Sequence, residues 1–131
     1  HKLHIEDIGF TCLDCHSNAE THARASIPNI EFCGGCHDDT EVENPEESKV
    51  AEHVNNDIQI KWVQVHKVPD YAYFSHRRHV KLAQIECETC HGEVSQMENP
   101  FVSPFPSMKM SWCMDCHTER GVTNDCYACH R

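Results

Sequence analysis

Positive charge is scarce in this chain. Its 131 residues carry 11 Lys and Arg against 21 Asp and Glu, a formal net charge of -10. Nucleic-acid binding needs a basic footprint and is excluded on that ground. No stretch approaches the roughly 20 apolar residues that a membrane-spanning helix requires, so the sequence as it stands does not cross a bilayer in that way. No signal-peptide pattern is visible either. Core-forming residues are also few. Hydrophobic types make up 39% of the chain, and ten of those residues are cysteines. A side-chain core of ordinary size is therefore out of reach, and something else must fill the interior.

What the chain does have is one pattern, five times over. Cys-x-x-Cys-His occurs at Cys12/Cys15/His16, Cys33/Cys36/His37, Cys87/Cys90/His91, Cys113/Cys116/His117 and Cys126/Cys129/His130, and these pentads consume all ten cysteines. The spacing is the attachment signature of c-type haem. On a helical turn, positions i, i+3 and i+4 share one face. Two thioethers and an imidazole then meet the same porphyrin, with the histidine as the proximal iron ligand. The expected cofactors are five covalently bound haem c groups.

Three other readings of the pentads fail. Zinc ribbons take Cys-x-x-Cys pairs two at a time, which leaves one pair unmatched and gives no reason for a histidine after every pair. Disulfide staples leave the same five histidines unexplained. A thioredoxin-like redox motif would occur once, on a βαβ unit.

With 131 residues for five haems, about 26 each, the porphyrins must form the core and the apo-chain is expected to be unfolded. Haem propionates make the loaded protein more acidic still. That surface suits a cationic redox partner, or serves only to keep a haem-rich protein soluble. Covalent haem is attached outside the cytoplasm, so an exported protein on the periplasmic side of a membrane is expected, with an extracellular location as the alternative. By the same reasoning an export signal or membrane anchor is expected upstream of His1.

An internal repeat organises the chain. His1-Lys2-Leu3-His4-Ile5 aligns with His76-Arg77-Arg78-His79-Val80, and in each copy a pentad begins eight residues past the second histidine, His4 to Cys12 and His79 to Cys87. The chain divides on this basis into a two-haem module over 1–37, an acidic connector over 38–57 and a three-haem module over 58–131. Seven of the 12 histidines are not in pentads: His1, His4, His22, His53, His66, His76 and His79. Five irons need five, so every haem can be bis-histidine with two histidines to spare. The repeat singles out His1, His4, His76 and His79, and His66 precedes a rigid Val68-Pro69 turn. His22 and His53 lack a pattern and are expected to contact solvent or a propionate. Methionine is the competing ligand type. Histidines suffice, however, so Met108 and Met110 are expected to pack against haem faces.

The rest of the sequence predicts a mainly α fold with much irregular coil: a haem-cored chain with short helices at each pentad and at most one or two short strands. Residues 58–65 alternate at first and are a candidate strand. Residues 93–108, with Pro100, Pro104 and Pro106, are expected to be loop. Arg77, Arg78, Lys81 and Lys67 form the only basic cluster and are expected to pair with propionates.

The His-x-x-His before Cys-x-x-Cys-His resembles the class III small multihaem cytochromes. The run from Ile60 to Val80, with Trp62, His66-Lys67-Val68-Pro69-Asp70 and Phe74-Ser75-His76, is similar to the central segment of the pentahaem cytochrome subunit of alternative complex III. So are Met108-Lys109-Met110-Ser111-Trp112-Cys113 and the terminal Cys126 to Arg131. The resemblance covers nearly the whole chain. It implies an electron-relay subunit of a quinol-oxidising respiratory or photosynthetic membrane complex. Such a subunit takes electrons from an iron–sulfur or other redox partner, passes them to a soluble cytochrome or oxidase, and is held to the membrane by an N-terminal anchor or by partner subunits. It is an electron-transfer protein and not an enzyme in itself.

On that resemblance and by elimination, His1 is assigned to the haem of Cys12/Cys15, His4 to Cys33/Cys36, His76 to Cys87/Cys90, His79 to Cys113/Cys116 and His66 to Cys126/Cys129. Two rival functions are a subunit of an extracellular haem filament, and a multihaem reductase of oxyanions. The reductase needs an open iron, which the histidine surplus and the absence of any Cys-x-x-Cys-Lys pentad disfavour.

Overall fold

The computed structural model describes residues 1–39, 41–99, 102 and 108–130. Within them the protein is short helices joined by coil. The α-helices are α1 (Cys12–Cys15), α2 (Ile30–Cys33), α3 (Pro45–Asn55), α4 (Cys87–His91), α5 (Met110–Glu119) and α6 (Cys126–Cys129). Two π-turns, Leu3–Asp7 and Arg78–Leu82, and a 3-10 turn, Val94–Gln96, complete the regular structure. Among the described residues the one β-type pairing is an isolated antiparallel bridge between Ala72 and His130. The expected strand over 58–65 does not form. A strand exists only against a partner, and no extended segment pairs with it. The loop expected over 93–108 opens with the 3-10 turn, while Pro100, Pro104 and Pro106 lie outside the described residues.

Of the helices that carry pentad cysteines, α1, α2 and α6 open on a residue whose side chain takes part in a cap, whereas α4 and α5 do not. Thr11 and Asp14 form a reciprocal capping box over α1, with the Thr11 N–H and hydroxyl both donating to the Asp14 carboxylate at 2.6 and 2.7 Å. The Asn29 side chain accepts from the Phe32 N–H at 3.2 Å to open α2. The Asp125 side chain accepts from the Tyr127 N–H at 2.9 Å to open α6.

The second pentad sits differently from the others. Its first cysteine, Cys33, is the last residue of α2, and Cys36 lies outside the helix, in the turn that follows. Gly34 and Gly35 stand between the two cysteines, and glycine is a poor helix former, so the regular helix stops there. The turn still winds tightly. Cys33 O accepts from the Cys36 N–H at 3.2 Å and from the His37 N–H at 3.0 Å, which keeps the pentad on one turn of chain without a helix to carry it.

The chain divides into two compact units. One is built from His1–Ala25 together with Gln64–Arg131, the other from Ser26–Val63. In the larger unit the two copies of the repeat share one backbone path. Each π-turn begins one residue before the second histidine and closes with an i-to-i+5 bond, Ile8 N–H to Leu3 O at 3.2 Å and Ala83 N–H to Arg78 O at 3.0 Å. A longer bond follows in both, Phe10 N–H to His4 O at 2.9 Å and Ile85 N–H to His79 O at 3.0 Å. The chain then enters the pentad. Lys2 is tied to the far end of the unit by its N–H to Met97 O at 3.0 Å and by its ammonium to Glu98 at 3.2 Å.

The smaller unit holds α2 against α3. Residues 38–57 read as a solvated connector, yet α3 occupies most of them. Asn44 caps it, Pro45 sits at the first helical position, and Glu46 and Glu47 complement the helix dipole in the first turn. Ala51 is completely buried on the face packed against α2. A Cβ added at Gly34 would come within 3.0 Å of Val54 Cγ1, so the close approach of the two helices depends on that glycine. Gln59 reaches back to accept from the Ile30 N–H at 3.0 Å.

Among the described residues, the buried hydrophobic set is Ala19, Ile30, Ala51 and Ile85, and no large side chain is fully buried. Such an interior cannot offset the conformational entropy of this many ordered residues. Meanwhile Trp62, Tyr71, Leu82 and Met110 are more than half exposed. Met110, expected to pack against a haem face, is 60% exposed.

Candidate haem-binding site

All ten cysteines are free thiols on or directly beside short helices, each pair followed by its histidine. In the larger unit the pentads adjoin. Burial pushes the Cys87 thiol pKa up, and the Cys12 thiol, within hydrogen-bonding contact, adds to it. The Cys90 thiol is raised by burial and then by Cys116 and Cys113. The Cys113 thiol is raised by burial and then by Cys129. Thiols of four pentads therefore run as neighbours through one unit.

The fifth pair, Cys33 and Cys36, belongs to the smaller unit and takes no part in that row. Its two thiols have different surroundings. Cys33, at the end of α2, is half-buried, and burial raises its pKa. Cys36, in the turn beyond the helix, is exposed. Both cysteines of a pentad lie within one helix in α1, α4, α5 and α6 of the larger unit, while Cys36 depends on the turn alone. No group of three or more His, Cys, Asp or Glu converges among the described residues, so the tetrahedral ligand set of a structural zinc site is not formed there.

The histidines pair across gaps. His76 faces His91 with ring centroids 6.3 Å apart and planes within 4° of parallel. His79 faces His117 at the same 6.3 Å, with planes 26° apart. Metal–imidazole bonds of about 2.0 Å, with each ring centre about 1.1 Å beyond its nitrogen, put two trans imidazoles about 6.2 Å apart. The two centroid distances would suit a pair of histidines that hold one metal ion between them.

Ring orientation agrees with that use. His76 Nδ1 bonds to Ala23 O at 3.1 Å, His79 Nδ1 to Ser75 O at 2.8 Å and His117 Nδ1 to Thr123 O at 3.0 Å. A carbonyl only accepts, so Nδ1 carries the proton and Nε2 is left as the bare ligand atom. In the smaller unit His37 Nδ1 lies 3.3 Å from the Glu47 carboxylate. Burial, then His66, His76 and His16 nearby, hold His91 down to a pKa of about 4, so it is neutral and competent as a ligand at physiological pH. Desolvation likewise lowers His76.

The residues present fit the haem groups the motif implies: paired thiols for the thioethers, facing imidazoles for the iron, and an interior short of side chains. The other candidates take the following places. His4 stacks on Phe10 at 6.2 Å. The His1 α-amino group donates to Met97 O at 3.1 Å. His66 meets His91 edge to face at 4.7 Å, and Tyr71 lies 5.8 Å from His130. His22 bonds through Nδ1 to the Thr21 hydroxyl at 2.7 Å. His53 is half-buried, and its Nδ1 has no hydrogen-bond partner among the described residues. From the basic cluster, Lys81 pairs with Glu20 at 3.2 Å. The sequence reading missed Phe74, whose ring touches both His76 and His79. Its place two residues before the histidine pair was the available signal.

Two comparisons bear on this arrangement. Residues 72–131 match the family model described as cytochrome c7 and related cytochrome c. The whole chain aligns at 33% identity over 155 residues with the menaquinone reductase multiheme cytochrome c subunit of Nitratidesulfovibrio vulgaris (strain Hildenborough), covering 74% of that protein.

Proposed function

The chain belongs to the multihaem c-type cytochrome family, an electron-transfer module and not itself an enzyme, and on that premise we propose that it is the pentahaem relay subunit of a quinone-linked membrane complex. The observation that carries this reading is the pair of facing imidazoles, His76/His91 and His79/His117, each 6.3 Å apart. Both gaps open from one turn of chain, so two cofactors hang from a single short segment. The joined row of thiols adds the pentads of Cys12/Cys15 and Cys126/Cys129 to the same unit.

In this reading the ten pentad cysteines hold five haems, four in the larger unit and the one of Cys33/Cys36 in the smaller. His16, His37, His91, His117 and His130 are proximal ligands, and His1, His4, His66, His76 and His79 are distal ones. Bound haem supplies a one-electron ferric/ferrous couple. The chain's own residues do the rest. His76 with His91, and His79 with His117, would hold the group through their Nε2 atoms and leave no place for a substrate, which would favour electron transfer. The carbonyls of Ala23, Ser75 and Thr123 fix the rings and raise their basicity. Two imidazoles stabilise the ferric state more than a histidine–methionine pair does, so most potentials lie below that of the hydrogen electrode.

The name of the Nitratidesulfovibrio relative supports placing the complex at menaquinone, with electrons delivered toward the quinone pool. The likeness to alternative complex III supports the opposite direction with a similar architecture: an iron–sulfur or other redox subunit on one side and a soluble cytochrome or oxidase on the other. We place the subunit on the periplasmic side of the membrane, held there by partner subunits or an upstream anchor.

The test is purification of the native protein from membranes, with haem counted by pyridine haemochrome and partners identified by mass spectrometry. Five haems per chain, all low-spin and unreactive to carbon monoxide, together with co-purifying membrane and redox subunits, are expected. Reduction of the haems by a menaquinol analogue, or their oxidation by a menaquinone analogue, reports the direction. A homogeneous soluble monomer with no partner overturns the membrane-complex reading. A chain that polymerises on its own points to a filament.

A further inference from the structure

Nine acidic residues fall in the smaller unit, and Glu47 is the one that its fold draws inward. The other eight are exposed, whereas Glu47 is half-buried. Its place on α3 explains this. Positions 47, 51 and 54 stand i, i+4 and i+7 on one helical face. Ala51 is buried on the face packed against α2, and Val54 lies against Gly34. Glu46, one residue earlier, pairs with Lys49 at 2.6 Å, and its side chain is 78% exposed against 39% for Glu47. A half-buried carboxylate needs a partner. For Glu47 it is the ring of His37: Oε1 lies 3.3 Å from Nδ1, an atom closed off from solvent. The contact is an electrostatic approach without the alignment of a full hydrogen bond.

The ligand histidines of the larger unit have a different kind of partner. His76, His79 and His117 turn Nδ1 to the backbone carbonyls of Ala23, Ser75 and Thr123. A carbonyl is a neutral dipole. A carboxylate carries a whole charge and acts more strongly across a similar distance. On an iron ligand that difference reaches the metal. Negative charge behind an imidazole raises its basicity and favours the more positive oxidation state of the metal it holds.

We propose that Glu47 is a positioning residue for the haem of Cys33/Cys36: acting through His37, its charge sets the potential of that iron below those of the His76/His91 and His79/His117 sites. The inference rests on the ligand reading above. It gives α3 a role in tuning as well as in packing, and it puts the low-potential end of the relay in the smaller unit. The exposed acids of the same unit act through water and are screened.

The experiment uses the holo-protein and the variants Glu47→Gln, Glu47→Lys and Glu52→Gln. Glutamine keeps the shape and an acceptor oxygen but removes the charge, and lysine reverses it. Glu52 is an exposed acid on the same helix. A redox titration followed in the visible spectrum is the readout, with haem content and melting temperature measured alongside. Glu47→Gln is expected to raise the lowest midpoint, Glu47→Lys to raise it further, and Glu52→Gln to leave it in place. The other midpoints stay at their wild-type values in all three. The proposal is overturned if folded, fully loaded Glu47→Gln keeps every midpoint. It is overturned as well if Glu52→Gln moves the lowest midpoint as far as Glu47→Gln does, the mark of a general surface field. A shift of all midpoints together with a lowered melting temperature, the signature of a structural role, also overturns it. His37→Ala separates the two levels. Loss of one low-spin haem in that variant upholds the ligand reading whatever the Glu47 variants do, and an unaltered set of low-spin haems removes both that reading and the role of Glu47.

Discussion

Gly9 and Gln84 take the same left-handed backbone conformation at the same place in two copies of one motif, with φ of +84° and +51°. Each follows a π-turn by two residues and delivers the chain to a pentad. Glycine adopts this conformation at no steric cost, whereas glutamine there is strained by about 1 kcal/mol. Gln84→Gly should stabilise the holo-protein by up to about that amount, and Gly9→Ala should destabilise it similarly. A Cβ at Gly9 meets nothing within 4 Å, so the second effect is purely one of backbone. Denaturant midpoints of the two variants, moving in opposite directions, are the check; movement in the same direction refutes the equivalence.

The His79/His117 gap predicts the effect of a softer ligand. His79→Met should raise the potential of one haem by a fraction of the roughly 0.8 V that axial ligands command, and leave the others nearly unchanged. A redox titration resolved by visible spectroscopy reads this directly. A uniform shift of every haem would contradict one-to-one pairing.

Helix packing in the smaller unit gives a third expectation. Gly34→Ala should cost about 1–3 kcal/mol through overpacking against Val54, since its Cβ would sit 3.0 Å from Val54 Cγ1. Val54→Ala in the same chain should recover part of that loss. A double-mutant cycle with no coupling would mean that the helices do not meet as described.

The caps are separable from the cofactors. Asn29→Ala and Asp125→Ala each remove a side-chain acceptor at a pentad helix and should cost about 1 kcal/mol. Haem content by pyridine haemochrome should be unchanged in both. A drop in haem content would show that the cap is needed for attachment and not just for stability.

Much of this was legible in the sequence because haem attachment is a local code. The five pentads, the two His-x-x-His copies and their common spacing all point to particular residues, and the fold class follows from the shortage of core. Other features escaped for physical reasons. Helix α3 was hidden by its acidic composition, although Asn44-Pro45 is a start signal and Val50, Ala51 and Val54 fall on one helical face. The apparent strand at 58–65 had the alternation but no partner, and a partner is a property of the tertiary structure. The placing of Cys36 beyond its helix had a signal in Gly34-Gly35, which the uniform spacing of the pentads masked. Phe74 carries no signal in periodicity, since its contacts are with two rings brought together by the turn.

The larger unit is assembled from both ends of the chain, with Lys2 bonded to Met97 and Glu98. This has a kinetic consequence. Lys2 cannot close its contacts until residues more than ninety positions later have joined it. Contacts of such long range pay their loop entropy before any return, which slows folding. The first pentad thus spends an extended interval on open chain, with the Cys12 and Cys15 thiols accessible throughout. For a multihaem c-type chain, late closure leaves the Cys12/Cys15 pair open to the modifying machinery until Met97 and Glu98 have joined Lys2.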